Sequence, residues 1–243
     1  MKILVIGESC RDVFNYGECN RLCPEAPVPI FNLIETTENG GMALNVKNNI
    51  SALNVTTELV TNSNWKEITK TRFIDIRTNH MFMRLDCNDG KYERYDINNI
   101  DYDSYDAIVV SDYNKGFLTK EDIAQIALRH DCVFLDTKKC LGDWCKNIKY
   151  IKINEYEYKN NKEFITDKLE EKIITTLGPK GSVYKDVVYS VPKVEIKDVA
   201  GAGDSFIAGL AVKYIETNDI ISAIQFANDC ATKVVQRKGV SIV

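Results

Sequence analysis

The stretch KDVAGAGDSFIAGL, residues 197–210, places Ala200, Gly201, Ala202 and Gly203 between two acids, Asp198 and Asp204, and then turns apolar at helical spacing. A helix entrance exposes unpaired backbone N–H groups and the positive end of the helix dipole. Removing bulky side chains lets an anion approach those groups closely. Gly201, Ala202 and Gly203 therefore suit a cradle for a phosphoryl group whose charge shifts in a transition state, and Asp204 suits a base that takes a proton from an attacking hydroxyl. The same residues also read as a tight turn ending in a capping carboxylate. Two other phosphate motifs are excluded. No G-x-x-x-x-G-K-[ST] occurs, and the G-x-G at 201–203 lacks the third glycine of a dinucleotide fingerprint and comes late in the chain.

Upstream, short β-rich apolar runs recur at 2–7 (KILVIG), 107–111, 132–136, 150–154 and 172–178. Helical patterns lie at 41–53, 119–130, 166–172, 203–215 and 219–237. Strands alternating with helices predict an open, mostly parallel sheet flanked by helices. Two segments break the rhythm. Residues 24–35, with three prolines, suit an edge strand. Residues 71–97 alternate like antiparallel strands, with NDG at 88–90 as the expected hairpin turn. Together they predict a small β lid, with strands drawn from about 12–37 and 70–98, on a single domain spanning 1–243.

The 243 residues are 44% hydrophobic and 27% charged, which is the composition of a globular protein with a sizeable core. A net charge of -4 favours neither a nucleic-acid surface nor a polybasic membrane patch. No apolar run reaches the roughly 20 residues of a membrane span, and MKILVIGESC lacks the form of a signal peptide, so a cytoplasmic protein is expected. The eight scattered cysteines then read as reduced thiols. Their spacing, with two histidines in unrelated contexts, argues against structural zinc.

DVAGAGDSFIAGL resembles the D-x-x-G-A-G-D signature of the PfkB/ribokinase family of carbohydrate kinases. The other family motifs follow in order: Gly40-Gly41 with Asn45, NEYE at 154–157 for N-x-x-E, and TLGPKG at 176–181 for T-x-G-x-x-G. Residues 7–32 with their PEAPVP, SDYNKGFLT at 111–119 and RLD at 84–86 are similar to the kinase module of the heptose enzymes. That resemblance implies a ribokinase-like three-layer fold and ATP-dependent phosphorylation of D-glycero-D-manno-heptose 7-phosphate at C1. The chain is shorter than such relatives, most clearly after residues 58–60 and again before 172–178, so an edge unit of the sheet is expected to be missing.

The resemblance also assigns roles. Asp204 is the base and Gly201, Ala202 and Gly203 form the anion hole. Asp12, Gly40, Gly41 and Asn45 bind the sugar. Asp112, Lys115 and Lys138 lie at the sheet edge, where a lysine would offset a phosphate. Arg72 and Arg84 on the lid are further phosphate ligands. Asn154, Glu155, Tyr156, Glu157, Thr176, Gly178, Gly181 and Asn228 face ATP, with Glu157 positioning Mg2+ and Asp198 near a monovalent cation such as K+. Ala200, where relatives carry Thr, leaves potassium dependence open. Glu8 stands where heptose kinases carry Asp. Each of these positions also has a plain reading as a turn, cap or surface residue. Relatives pair through their lids, so a homodimer is expected. No nucleotidyltransferase motif follows, so kinase chemistry alone is expected. Two rivals remain: a PfkB kinase for another sugar, and a non-catalytic sugar- or nucleotide-binding protein on a trimmed scaffold.

Overall fold

The computed structural model describes residues 1–243. Strands β1 (Lys2–Gly7), β2 (Arg11–Leu22) and β3 (Pro29–Asn39) lead into helix α1 (Gly41–Ala52). Then come β4 (Thr56–Val60), β5 (Thr69–Asp75), β6 (Met81–Cys87), β7 (Ala107–Asp112), α2 (Lys120–Arg129) and β8 (Val133–Thr137). β9 (Tyr150–Asn154), α3 (Glu155–Asn161), the short turn α4 (Asp167–Glu170), β10 (Ile173–Thr176), β11 (Ser182–Tyr184) and β12 (Val187–Tyr189) follow, and α5 (Ala202–Thr217) and α6 (Ile220–Val234) close the chain.

The main sheet runs β12-β11-β10-β9-β8-β7-β1-β4. β10, β9, β8, β7, β1 and β4 pair in parallel, and β11 and β12 add an antiparallel edge. The three layers follow from strand alternation. Ile3, Val5, Val109 and Phe134 face a core shared with α1, α5 and α6. Their neighbours Leu4, Ile6, Ile108, Val110 and Leu135 face a second core on the α2 side. The open parallel sheet with helices on both faces is the expected ribokinase-like α/β fold.

A second sheet, β3-β2-β5-β6, forms the lid. β2 starts four residues after β1 ends, so the first strand of the body feeds the lid directly. β3, which opens at Pro29, is an edge strand as expected. The expected hairpin turn at 88–90 is corrected. β5 and β6 are joined at Ile76–His80, where Asp75 accepts the N–H groups of Arg77 and Thr78 and Asn79 takes φ 60°. Asn88-Asp89-Gly90 ends β6 instead, and no strand forms over 88–98. An Asx turn four residues long thus outcompetes the Asp-Gly dipeptide.

The NEYE motif opens a helix directly after β9, over 155–161. Asn154 accepts the N–H of Glu157 at 2.8 Å and the Glu157 carboxylate accepts the N–H of Asn154 at 2.8 Å, a reciprocal capping box. The 166–172 helix shrinks to 167–170. The sheet ends at β4, and residues 61–68 cross straight from that edge into the lid.

Candidate active site

The parallel strands β1, β7, β8 and β9 end on one side of the sheet, where ligands gather in open α/β folds. α5 begins above that edge. Gly201 is its N-cap at φ 81°, a left-handed conformation that glycine adopts without strain. The N–H of Ala202 donates to the Val199 carbonyl at 3.3 Å, while those of Gly201, Gly203 and Asp204 have no protein acceptor. The open donors are those of Gly201, Gly203 and Asp204, while the turn closes on Ala202.

Asp204 is buried at 6% exposure on the first turn of α5. Its Oδ2 accepts from Asn45 Nδ2 at 2.8 Å, and its Oδ1 accepts the Tyr113 hydroxyl at 3.1 Å. Burial pushes its carboxyl up to about 6, with Asp136 adding to the rise and Asn45, Lys152 and Tyr113 opposing it. A carboxyl poised there is ionised at neutral pH and basic enough to take a proton.

Below Asp204 runs a file of alternating charges. Lys152 Nζ, from β9, is 2.7 Å from Asp136 Oδ2, from β8, and both residues are buried. Lys138 Nζ lies 3.6 Å from Asp136 Oδ1 and 2.5 Å from Glu157 Oε1. Burial opposes ionisation of Asp136, but the two lysines outweigh it and lower its pKa. A Cβ on Gly203 would stand 2.7 Å from Lys152 Nζ, so the ammonium reaches the entrance of α5. A second buried pair, Lys139–Asp112 at 2.5 Å, holds Asp112 below the site, with the Thr137 hydroxyl on the other oxygen.

The expected sugar-binding residues gather unevenly. Asp12, paired with Arg72 of the lid, lies beside Gly41, and a Cβ on Gly41 would be 3.6 Å from Asp12 Cβ. Gly41 opens α1, which brings Asn45 to Asp204. Lys115 instead turns to Asp89 at 2.7 Å, and Asp112 is sealed in its ion pair. Glu8 is wholly buried and accepts the N–H groups of Tyr113 and Lys115 at 2.8 and 2.9 Å, so it holds the loop after β7 and not a ligand.

Thr176, Gly178, Gly181, Ala202, Gly203 and Asn228 line one cavity of about 540 Å³ with apolar walls from Val191, Pro192, Val194, Ile196 and Phe206. Lys180 and Lys193 also line it. Asn228 donates to the Tyr189 carbonyl at 2.9 Å, which fixes the β12 edge. Tyr156 is exposed and Glu155 pairs with Lys159, and neither lines the cavity.

The metal expectations meet committed carboxylates. Glu157 gives one oxygen to Lys138 and the other to the capping box. Asp198 accepts the N–H groups of Ala200 and Gly239, tying the loop before α5 to the chain's end. No three His, Cys, Asp or Glu side chains converge on a common point. This donor set fits a magnesium ion carried mainly by phosphates and water, which Mg2+ favours over an all-protein cage. The sequence reasoning missed Tyr113, Lys139 and Lys152. Lys152 is the one charged residue in the run YIKIN, and that was the available signal.

The fold defines an α/β protein of the ribokinase-like class. The chain belongs to the family described as pfkB family carbohydrate kinase, whose profile matches residues 29–243. It is 27% identical to the bifunctional protein HldE of Helicobacter pylori over 293 aligned positions, covering 98% of this chain and 63% of that protein. It is equally 27% identical to HldE of Haemophilus influenzae, covering 100% of this chain and 61% of the relative. The chain thus spans less than two thirds of the length of these relatives, and the alignments are longer than its 243 residues, as the expected contractions require. Among solved structures it resembles a nucleoside kinase of Methanocaldococcus jannaschii (TM-score 0.74, 18% identity, 98% of this chain and 93% of that one). It also resembles a ribokinase of Arabidopsis thaliana complexed with ribose and ATP (TM-score 0.71, 16% identity, 98% and 93%).

Proposed function

We propose that this chain is an ATP-dependent sugar kinase that phosphorylates D-glycero-D-manno-heptose 7-phosphate at C1 to the 1,7-bisphosphate. The observation that carries the reading is Asp204, a buried carboxyl with its pKa pushed up to about 6, set beside open N–H donors at the entrance of α5. The C1 hydroxyl gives its proton to Asp204 as its oxygen bonds to the γ-phosphorus. The bond from that phosphorus to the β-phosphate bridging oxygen breaks, and the electron pair leaves on ADP. The N–H groups of Gly201 and Gly203 receive the charge on the transferred group.

The cavity lined by Thr176, Gly178, Gly181 and Asn228 takes the nucleotide, its apolar walls suiting an adenine. Magnesium would supply charge neutralisation on the phosphates, with Asn154 and Glu157 ordering its water shell. Asp12, Gly41 and Asn45 bind the sugar. No cation role is proposed for Asp198, whose carboxylate serves the loop.

A phosphosugar is supported by the lid. Arg72 and Arg84 are register partners on β5 and β6. Burial, and then the neighbouring Arg84, lower the pKa of Arg72; each guanidinium holds a carboxylate, Arg72 on Asp12 and Arg84 on Asp86, so a sugar phosphate would share these two cations with the lid's own acids. The assignment to heptose rests on the HldE relatives. Two copies paired through their lids are also proposed, since Leu33, Ile34, Met81, Phe82, Met83 and Leu85 stand exposed on its edge strands.

The test is phosphoryl transfer from Mg-ATP to D-glycero-D-manno-heptose 7-phosphate beside a panel of sugars and sugar phosphates, with Asp204→Asn in parallel. Wild type yields the bisphosphate, and the variant loses at least about a hundredfold in kcat. Turnover of another sugar moves the assignment within the family. Nucleotide binding without transfer to any acceptor makes this a binding protein.

A further inference from the structure

The loop after β7 was expected to offer charged ligands, yet its Tyr113 makes the more direct contact. The phenol donates to Asp204 Oδ1 at 3.1 Å, and Asn45 occupies the other oxygen, so the buried carboxylate is held at both atoms. A phenol facing a carboxylate can only donate, and each carboxylate oxygen has two acceptor directions. Tyr113 therefore takes one direction of Oδ1 and leaves one for the hydroxyl of an acceptor. It fixes the plane of the carboxylate about its side-chain torsions.

The tyrosine is itself held from behind. Asn114 and Gly116 have positive φ, of 57° and 99°, and turn the chain sharply after the strand. The two oxygens of Glu8, at the end of β1, accept the N–H groups on either side of Asn114. The ring packs against the small apolar cluster of Cys10, Met42, Ile68 and Tyr92. Glu8 thus sets the loop, the loop sets Tyr113, and Tyr113 sets the base.

We infer that Tyr113 is a positioning residue for Asp204, orienting its carboxylate for proton abstraction, and that Glu8 acts through Tyr113. The inference rests on the kinase reading above and deepens it. Other charged groups around Asp204 are Asp136 from β8, Lys138 after it and Lys152 from β9, and these are unchanged by altering the phenol.

Tyr113→Phe removes one hydroxyl and keeps the ring in its cluster. With heptose 7-phosphate and Mg-ATP, kcat falls about tenfold or more, because a hydrogen bond to an ion is lost. The acceptor KM stays within about threefold, as expected when ground-state sugar binding is untouched. The acid limb of kcat moves to higher pH. Glu8→Gln, which makes no contact with Asp204 but offers one N–H group a donor in place of an acceptor, moves the limb in the same direction. Independently of any substrate, the carbon-13 titration of the Asp204 carboxyl shifts upward in Tyr113→Phe. An unmoved limb and an unmoved carbon-13 midpoint would overturn the inference. So would a large rise in acceptor KM with kcat intact, since Tyr113 would then be a sugar contact. If wild type turns over no acceptor, the kinase reading fails, and the carbon-13 titration alone still decides whether Tyr113 holds Asp204.

Discussion

Replacing Lys152 by Met keeps most of the side-chain volume and deletes one buried ammonium. Lys152 and Asp136 are each 4% exposed, and Nζ lies 2.7 Å from Oδ2. The other oxygen of Asp136 is buried without a hydrogen bond, its nearest cation being Lys138 at 3.6 Å. Lys152→Met leaves that carboxylate with one imperfect partner. Breaking a buried pair from one side costs about 3–5 kcal/mol. At roughly 2–4 °C per kcal/mol for a chain of this size, Tm falls by roughly 6–20 °C. Asp136 has a depressed pKa in the fold, so its contribution is present above the unfolded carboxyl value of about 4 and is lost as pH falls through the folded value. The deficit should therefore be full at pH 7 in urea denaturation and shrink in acid. Asp136→Asn combined with Lys152→Met removes the stranded charge and recovers more than half of the loss. A single variant within about 1 kcal/mol of wild type, or a double variant no better than the single, would refute the ion-pair reasoning.

Asp204→Asn should stabilise the protein while silencing it. A carboxyl raised by burial contributes stability below its unfolded pKa and loses it as pH rises through about 6, so the variant gains about 1–3 kcal/mol at pH 8 and nothing at pH 4, read by thermal melts. Gly181→Ala strains a residue at φ 92° and drives a Cβ to 2.0 Å from the Tyr189 carbonyl oxygen. The β12 edge shifts, and calorimetry should show ATP binding weakened by about tenfold or more. Thr119 caps α2 through the N–H of Asp122 at 3.1 Å, with the Asp122 carboxylate returning to the Thr119 N–H at 2.8 Å. Thr119→Ala should cost about 1 kcal/mol in denaturation and leave turnover unchanged, since the cap lies away from the site.

Much of the fold was legible in the chain because its elements are locally driven. The apolar runs at 2–7, 107–111 and 150–154 can only be satisfied as buried strands, and the spacing of 203–215 buries one face after another of α5. Local chemistry misled where two turn signals competed. Asp-Gly at 89–90 lost to the turn closed by Asp75, because that side chain takes two N–H groups in a segment the strand register leaves as the connection. NEYE read as a ligand motif but also folds as a capping box, and its Glu157 gives one oxygen to the box and one to Lys138, leaving a second acceptor direction on each.

The sequence by itself determined the α/β alternation, the lid, and the glycine-flanked entrance of α5 with its acid, since each is written in residues close together along the chain. Only the tertiary structure decided which groups act on that acid. Asn45 is 159 residues from Asp204 and Tyr113 is 91 residues away, and no periodicity links them. Lys152 reads as an interruption of a strand until β8 sets Asp136 beside it and α5 brings Gly203 over it. A carboxyl's basicity depends on burial and on the charges within a few ångströms, and those are fixed by packing between distant segments.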